Sequence, residues 1–124
     1  VFASEVLFQP GSATIGEEGR RQLSTVAKVI KEVSPEIPAQ INWILRVDGH
    51  TDIQPLASTS RFRDNWELSQ ARSLSVVKYL IRFEGFQSDR LAATGFGEFQ
   101  PLDPRSTPEA LARNRRIELK LTEK

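Results

Sequence analysis

The chain contains no cysteine. Disulfides and cysteine-ligated metal are thereby excluded, and the composition is compatible with an oxidising compartment. Neither sign of charge dominates either: 17 Lys and Arg stand against 16 Asp and Glu, for a formal net charge of +1. There is no global field to attract nucleic acid or an anionic membrane surface, so a nucleic-acid partner is not expected. No apolar run approaches the roughly 20 residues that cross a bilayer, and no secretory apolar stretch opens the chain at Val1. The expectation is a soluble domain excised from a longer protein, tied to a membrane only through segments outside it. Histidine is nearly absent, with His50 alone. At 124 residues the chain has room for one domain with a core and not for two, so residues 1–124 are expected to form a single domain.

What is present reads as alternating strands and helices. Phe2 to Phe8 is rich in apolar and β-favouring residues and ends in Pro10-Gly11-Ser12, a strand followed by a turn. From Gly16, residues Leu23, Val26, Ala27, Ile30 and Val33 recur at helical spacing, and Ser34-Pro35-Glu36-Ile37-Pro38 ends that helix. Ile41, Trp43, Leu45 and Val47 alternate along the next strand. A second helix is predicted from Asn65 to Glu84, with Asp64 as its cap, Glu67 three places on and Gly85 closing it. Arg90 to Gly97 reads as a strand entering a glycine-bearing turn, and Thr107-Pro108 starts a short helix to about Arg113. Ile117, Leu119 and Leu121 then alternate with charged residues, as in a half-buried strand with one solvated face. The order β-α-β-α-β-(short α)-β predicts an α+β two-layer sandwich, a mixed sheet with helices on one face.

The stretch Asp48 to Arg72, DGHTDIQPLASTSRFRDNWELSQAR, departs from generic globular sequence. It places Asp52 just past a strand end and follows it with a polar loop long enough to suggest function. On the helix beyond, Asn65 and Arg72 are seven residues apart and so lie within about 20° of one another. Trp66, Leu74, Val77, Leu80 and Ile81 share an arc, which predicts Trp66 in the core and Arg72 as a solvent-facing rim residue beside apolar surface. An acid and an arginine thus converge at one strand end.

Four motifs in order, GHTD, NWELSQAR, GFGEFQP and ARNRRIEL, carry a family resemblance. The chain resembles the OmpA-like, MotB-type peptidoglycan-binding domain from about Glu5 to Leu121, and the NWELS element with its long preceding loop is most similar to the flagellar stator version. The resemblance implies a non-catalytic domain, without cofactor or metal, in the periplasm of a Gram-negative envelope protein. It also implies that Asp52 and Arg72 hold the diaminopimelate of the cell-wall stem peptide, with Thr51, Asn65 and Arg115 as supporting contacts, and that two copies can pair. Arg115 and Arg116 face opposite ways on an alternating strand, and the family match selects Arg115. One departure is visible: Gly11 stands where many members have an Asn that touches the ligand, and that contact is not carried over. Chemically, Arg presents a planar fork to a carboxylate and Asp52 can take an ammonium, so the pair suffices for the free amino-acid end of diaminopimelate.

Competing readings are weaker: a purely structural dimerisation domain, a sugar-stacking role for Trp66 in place of a core one, and two kinds of hydrolase. Asp48, His50 and Asp52 alternate and could bind a divalent metal as a hydrolase site, yet no second His or Glu lies at ligand spacing nearby. Ser58, Ser60 and Ser69 lie outside any nucleophile turn, which disfavours a serine hydrolase. Gly95-Phe96-Gly97 lacks the third glycine and lysine of a phosphate loop and reads as a tight turn.

Overall fold

The alternating run after Ile41 forms the strand on which the other elements are laid. In the computed structural model, which describes residues 1–124, β2 is Trp43–His50 and has a partner on each side. β3 (Leu91–Gly95) runs parallel to it and β4 (Arg116–Glu123) antiparallel, with Val47 opposite both Ala93 and Leu119. A two-residue β1 (Phe2–Ala3) joins the outer edge of β4, giving a mixed sheet in the order β1-β4-β2-β3. The parallel β2–β3 pair needs a crossover, which the long helix α3 (Asn65–Glu84) supplies. Before it come the single-turn α1 (Ser4–Leu7) and α2 (Glu17–Val33), and after it the short α4 (Pro108–Asn114), capped by the Thr107 hydroxyl accepting from the Ala110 amide. This is the α+β architecture that the pattern of elements predicts.

One face of the sheet makes the core. Leu45, Val47 and Ile117 from the strands meet Leu23, Ala27 and Ile30 of α2 and Val76, Val77 and Leu80 of α3, with Leu7 and Phe8 closing one end. At about 25 cal/mol per Å² of apolar surface removed from water, this cluster is the main source of stability. The opposite face is not simply solvated: Asp48, His50 and Arg116 are buried there among charged neighbours.

The position of α3 fixes the functional end of the molecule. Asp64 accepts from the Glu67 amide at 2.9 Å, while the Glu67 carboxylate returns to the Arg63 amide at 3.0 Å, a capping pair at the predicted helix start. Gly85, at φ +74°, ends the helix in the left-handed region, and the Phe86 amide donates back to the Leu80 carbonyl. The first half of α3 lies almost on the strand backbones. A Cβ on Gly95 would stand 2.6 Å from the Gln70 amide nitrogen, and one on Gly49 would stand 2.6 Å from Ser73 Oγ and collide with the Ser69 carbonyl oxygen. Ser69 and Ser73 are small enough for this contact, and the Ser73 hydroxyl donates to the Thr94 carbonyl at 2.9 Å. Two glycines and two serines therefore bring Asn65 and Arg72 close to the end of β2.

Two predicted features fall differently. The strand from Phe2 to Phe8 is a strand only over Phe2–Ala3, because Ser4, Leu7 and Phe8 are all buried. That spacing of three and four is helical, and a strand would have turned Leu7 and Phe8 to opposite sides. Trp66 is not core either: it is 51% exposed, and Leu74 is also exposed. The buried stripe of α3 instead runs through Asn65, Leu68, Ser69, Arg72, Ser73, Val76, Val77 and Leu80, polar at its first half because the sheet is so near. Trp66→Ala is accordingly expected to cost about 1 kcal/mol, the scale of one aromatic pair, and not the roughly 3–5 kcal/mol of a buried aromatic. Urea unfolding of the variant measures the difference.

Candidate ligand-binding cleft

At the end of β2 the chain leaves a cleft of about 530 Å³. Its walls come from α1, the loop at Pro10-Gly11, Thr51 and Asp52, the loop from Gln54 to Ala57, the start of α3, and Arg115 at the entry to β4. Thr51, Asp52, Asn65, Arg72 and Arg115 all line it, although they come from three separate parts of the sequence.

Arg72 is buried in the wall, only 5% exposed, and not on the solvent-facing rim predicted from its helical position. The reason is the loop before α2, which folds over the helix. Arg72 Nε donates to the Ser12 carbonyl at 2.8 Å and Nη2 to the Gln9 carbonyl at 3.2 Å, and the guanidinium lies 5.0 Å from the Phe8 ring centroid. Burial lowers its pKa, the nearby Arg115 pushes the same way, and Glu5 and Asp52 oppose them. Starting so far above neutrality, the group remains a cation. Nη1 has no protein acceptor and is not sealed from the cleft, so an immobilised guanidinium presents one free edge. Such a group needs little reorganisation to grip a carboxylate.

Asp52 is likewise buried, 6% exposed. Its Oδ2 accepts from Arg115 Nη1 at 2.6 Å and its Oδ1 from the Gln54 amide at 2.9 Å. Arg115 also reaches Glu5 through Nε at 2.8 Å. Burial works against the charge on Arg115, but its hydrogen bonds to Asp52 and Glu5 prevail and its pKa is raised. Glu5, Asp52, Arg72 and Arg115 thus carry two charges of each sign around one cleft. Each oxygen of Asp52 has a second lone pair free for a further donor.

Thr51 and Asn65 hold the walls in place. The Thr51 amide donates to the Gly97 carbonyl at 2.9 Å, and its hydroxyl to the Asp52 carbonyl. Asn65 Nδ2 spans the carbonyls of Asp52 and Gln54 and the Glu98 carboxylate, at 3.1–3.3 Å. Glu5, Phe8 and Gln54 belong to the site but carry no signal in the sequence. Glu5 reaches the cleft only because Ser4–Leu7 is a helical turn, and Gln54 contributes its backbone.

The Asp48, His50 and Asp52 cluster does not assemble. Asp52 faces the cleft, whereas Asp48 sits on the other face of the sheet, held by Arg46 Nε and Nη2 at 2.8 and 2.9 Å. His50 stacks on Phe96 with ring centroids 4.9 Å apart, and no group of three metal-binding side chains is formed. Burial lowers the His50 pKa, chiefly by desolvation and then by Arg116. The sign follows: the unfolded chain takes up a proton at about pH 6.5 while the folded one stays neutral. His50 therefore makes stability fall as pH drops below about 6.5. His50→Gln is expected to flatten that part of the profile in melting temperatures taken from pH 7.5 to 5.

A family model, the OmpA family, matches residues 7–115. The chain belongs to the OmpA family. Among curated relatives it is 32% identical over 119 residues to the uncharacterized protein YtxE of Bacillus subtilis, and 30% identical over 114 to Motility protein B of the same species. It is 28% identical over 109 residues to the peptidoglycan-binding protein ArfA of Mycobacterium tuberculosis. These alignments take in 96%, 92% and 88% of this chain but 46%, 41% and 32% of those proteins, so it spans less than half their length. Among solved structures, a MotB-like protein from Desulfovibrio vulgaris superposes with TM-score 0.86 at 35% identity, over 98% of this chain and 70% of that one. The periplasmic domain of Helicobacter pylori MotB gives 0.81 at 28%, over 98% and 73%. The cell wall anchor of the T6SS from Pseudomonas aeruginosa gives 0.81 at 29%, over 98% and 78%.

Proposed function

We propose that this OmpA-family chain is a non-catalytic module, one unit over residues 1–124, that binds peptidoglycan through the diaminopimelate of the stem peptide and tethers a longer envelope protein to the cell wall. The observation that carries the reading is the immobilised Arg72 guanidinium, with a free edge in a cleft that also contains Asp52. The free end of diaminopimelate is a zwitterion, an ammonium and a carboxylate on one carbon. Two acids and two arginines around the cleft match it without net charge. Arg72 takes the carboxylate, and the unused lone pairs of Asp52 take the ammonium beside Arg115. Thr51, Asn65 and Arg115 keep the two in register. The similarity to the peptidoglycan-binding protein ArfA and to the cell wall anchor of the T6SS supports the same ligand class. The only histidine lies on the other face of the sheet, which supports holding the ligand over cleaving it. The place of action is the wall side of the cytoplasmic membrane. Relatives from Bacillus subtilis and Mycobacterium tuberculosis extend that reading beyond the Gram-negative periplasm.

Sedimentation with purified sacculi tests the proposal. The protein is expected to pellet with them and to release no soluble muropeptides, with or without added divalent metal. Failure to pellet, or release of fragments, contradicts it. A gain of function is also expected. Gly11 lines the cleft at φ +69°, and a Cβ there meets nothing within 4 Å. Asn is among the residues that tolerate this backbone region, so Gly11→Asn is expected to fold and to bind sacculi up to about tenfold more tightly, the value of one added hydrogen bond. Titration calorimetry with a diaminopimelate tripeptide provides the number.

A further inference from the structure

Asn65 belongs to the cleft wall, and the next residue turns outward. Trp66 is 51% exposed and Phe99 55% exposed, and their rings stack with centroids 4.9 Å apart at 29°. Two large aromatics left half in water on one spot need a reason, since isolated surface apolars are ordinary but a paired patch is not. The pair is also rigidly mounted. Gly97, at φ +64°, packs so closely behind it that a Cβ would lie 3.3 Å from the Phe99 ring and 3.4 Å from that of Trp66. The Gly97 amide donates to Ser69 Oγ at 3.0 Å, its carbonyl accepts from the Thr51 amide at 2.9 Å, and Glu98 accepts from Asn65 at 3.3 Å. The turn that carries Phe99 is therefore bound to the same residues that shape the cleft. The four cations that lie over rings in this molecule use Phe86, Phe96, Phe8 and Trp43, so neither Trp66 nor Phe99 is occupied by one.

We propose that Trp66 and Phe99 form a second subsite, a platform on which a pyranose ring of the glycan strand stacks while its attached stem peptide occupies the cleft. This rests on the peptide reading of the cleft given above. The chemistry fits: an amino sugar has an apolar C–H face that lies well on the negative face of an aromatic ring, and a polar rim of hydroxyl and acetamido groups. One carboxylate oxygen of Glu98, the residue before Phe99 in the chain, is engaged by Asn65, and the other has no protein donor, which leaves it as an acceptor for that rim. The reach fits as well. Trp66 and Asn65 have Cα atoms about 3.8 Å apart, and the few residues between diaminopimelate and the sugar span about 10 Å when extended. A second copy of the protein is a poorer occupant. Two side chains give a patch of a few hundred Å² at most, short of the roughly 800 Å² per partner of a stable interface.

The test compares three probes by calorimetry: a diaminopimelate tripeptide, the same tripeptide on its disaccharide, and a β-1,4-linked N-acetylglucosamine trimer. The sugar-bearing peptide is expected to bind wild type about tenfold more tightly than the bare one, the scale of a single aromatic contact. Phe99→Ala and Trp66→Ala are expected to erase that factor while leaving tripeptide affinity within about twofold, and Trp66→Phe to keep most of it. Equal affinity of wild type for the two peptides overturns the platform. So does a parallel loss for both peptides in Phe99→Ala, which would make the pair a prop for the cleft. Loss of self-association by light scattering in Phe99→Ala, with the sugar preference intact, makes the patch a contact between copies and overturns it too. If the tripeptide does not bind but the sugar trimer binds and requires Phe99, the platform stands and the peptide reading of the cleft falls.

Discussion

Gly49→Ala is expected to destabilise the domain by more than about 3 kcal/mol, at the upper end of what overpacking produces. The new methyl group would meet the Ser69 carbonyl and stand 2.6 Å from Ser73 Oγ. Ser73 could rotate away, but Ser69 presents backbone inside a 20-residue helix, and backbone does not yield locally. Relief requires α3 to lift from β2, which would also break the Ser73 bond to Thr94 and the Ser69 bond to Gly97. Gly95→Ala meets the Gln70 amide in the same way and is expected to behave alike. Because Asn65 and Arg72 ride on this helix, whatever folded fraction survives should also bind sacculi poorly. Urea denaturation gives the stability directly, and a loss under about 1 kcal/mol would mean that α3 sits farther from the sheet.

Arg72→Ala is expected to lose ligand binding by at least about 100-fold and stability by about 2–3 kcal/mol, since hydrogen bonds to a charged group are each worth roughly 1.5–3 kcal/mol. Two such bonds to the Gln9 and Ser12 carbonyls hold the loop before α2 closed over the helix. Those carbonyls border an open cleft and can rehydrate, and the cost of burying Arg72 is recovered, so the sum falls below the gross value of both bonds. Arg72→Lys separates the two roles. One ammonium cannot bond both carbonyls and still offer a planar edge, so this variant should keep part of the stability and little of the affinity. A Lys variant binding like wild type would reduce Arg72 to a loop clasp.

Much of this was legible in the sequence because local rules and tertiary structure agree there. The Asp64 cap and Gly85 stop give α3 its observed ends, and alternation identifies β2 and β4. The family resemblance singles out Asp52, Arg72, Thr51, Asn65 and Arg115, and all five line one cleft. The failures share one cause. Periodicity reports which residues are apolar, whereas burial on α3 is decided by how near the sheet lies, and that depends on Gly49 and Gly95. At such close range the buried stripe admits Ser69, Ser73 and Arg72 and excludes Trp66. The loop that covers Arg72 and the helical turn that delivers Glu5 depend on contacts some 60 and 110 residues away in sequence, which no local pattern encodes.

Arg72 is expected to read a free carboxylate, and competition against sacculus binding measures that most directly. Three competitors are required: a diaminopimelate tripeptide, the same peptide with the side-chain carboxyl amidated, and a lysine-type tripeptide. Amidation removes the charge and turns one acceptor toward Arg72 into a donor, against a group that has only donors. Lysine lacks the carboxylate altogether. The free acid is expected to compete at least about tenfold better than either of the others. Equal competition by all three would contradict the assignment and mean that the cleft recognises peptide backbone or glycan instead.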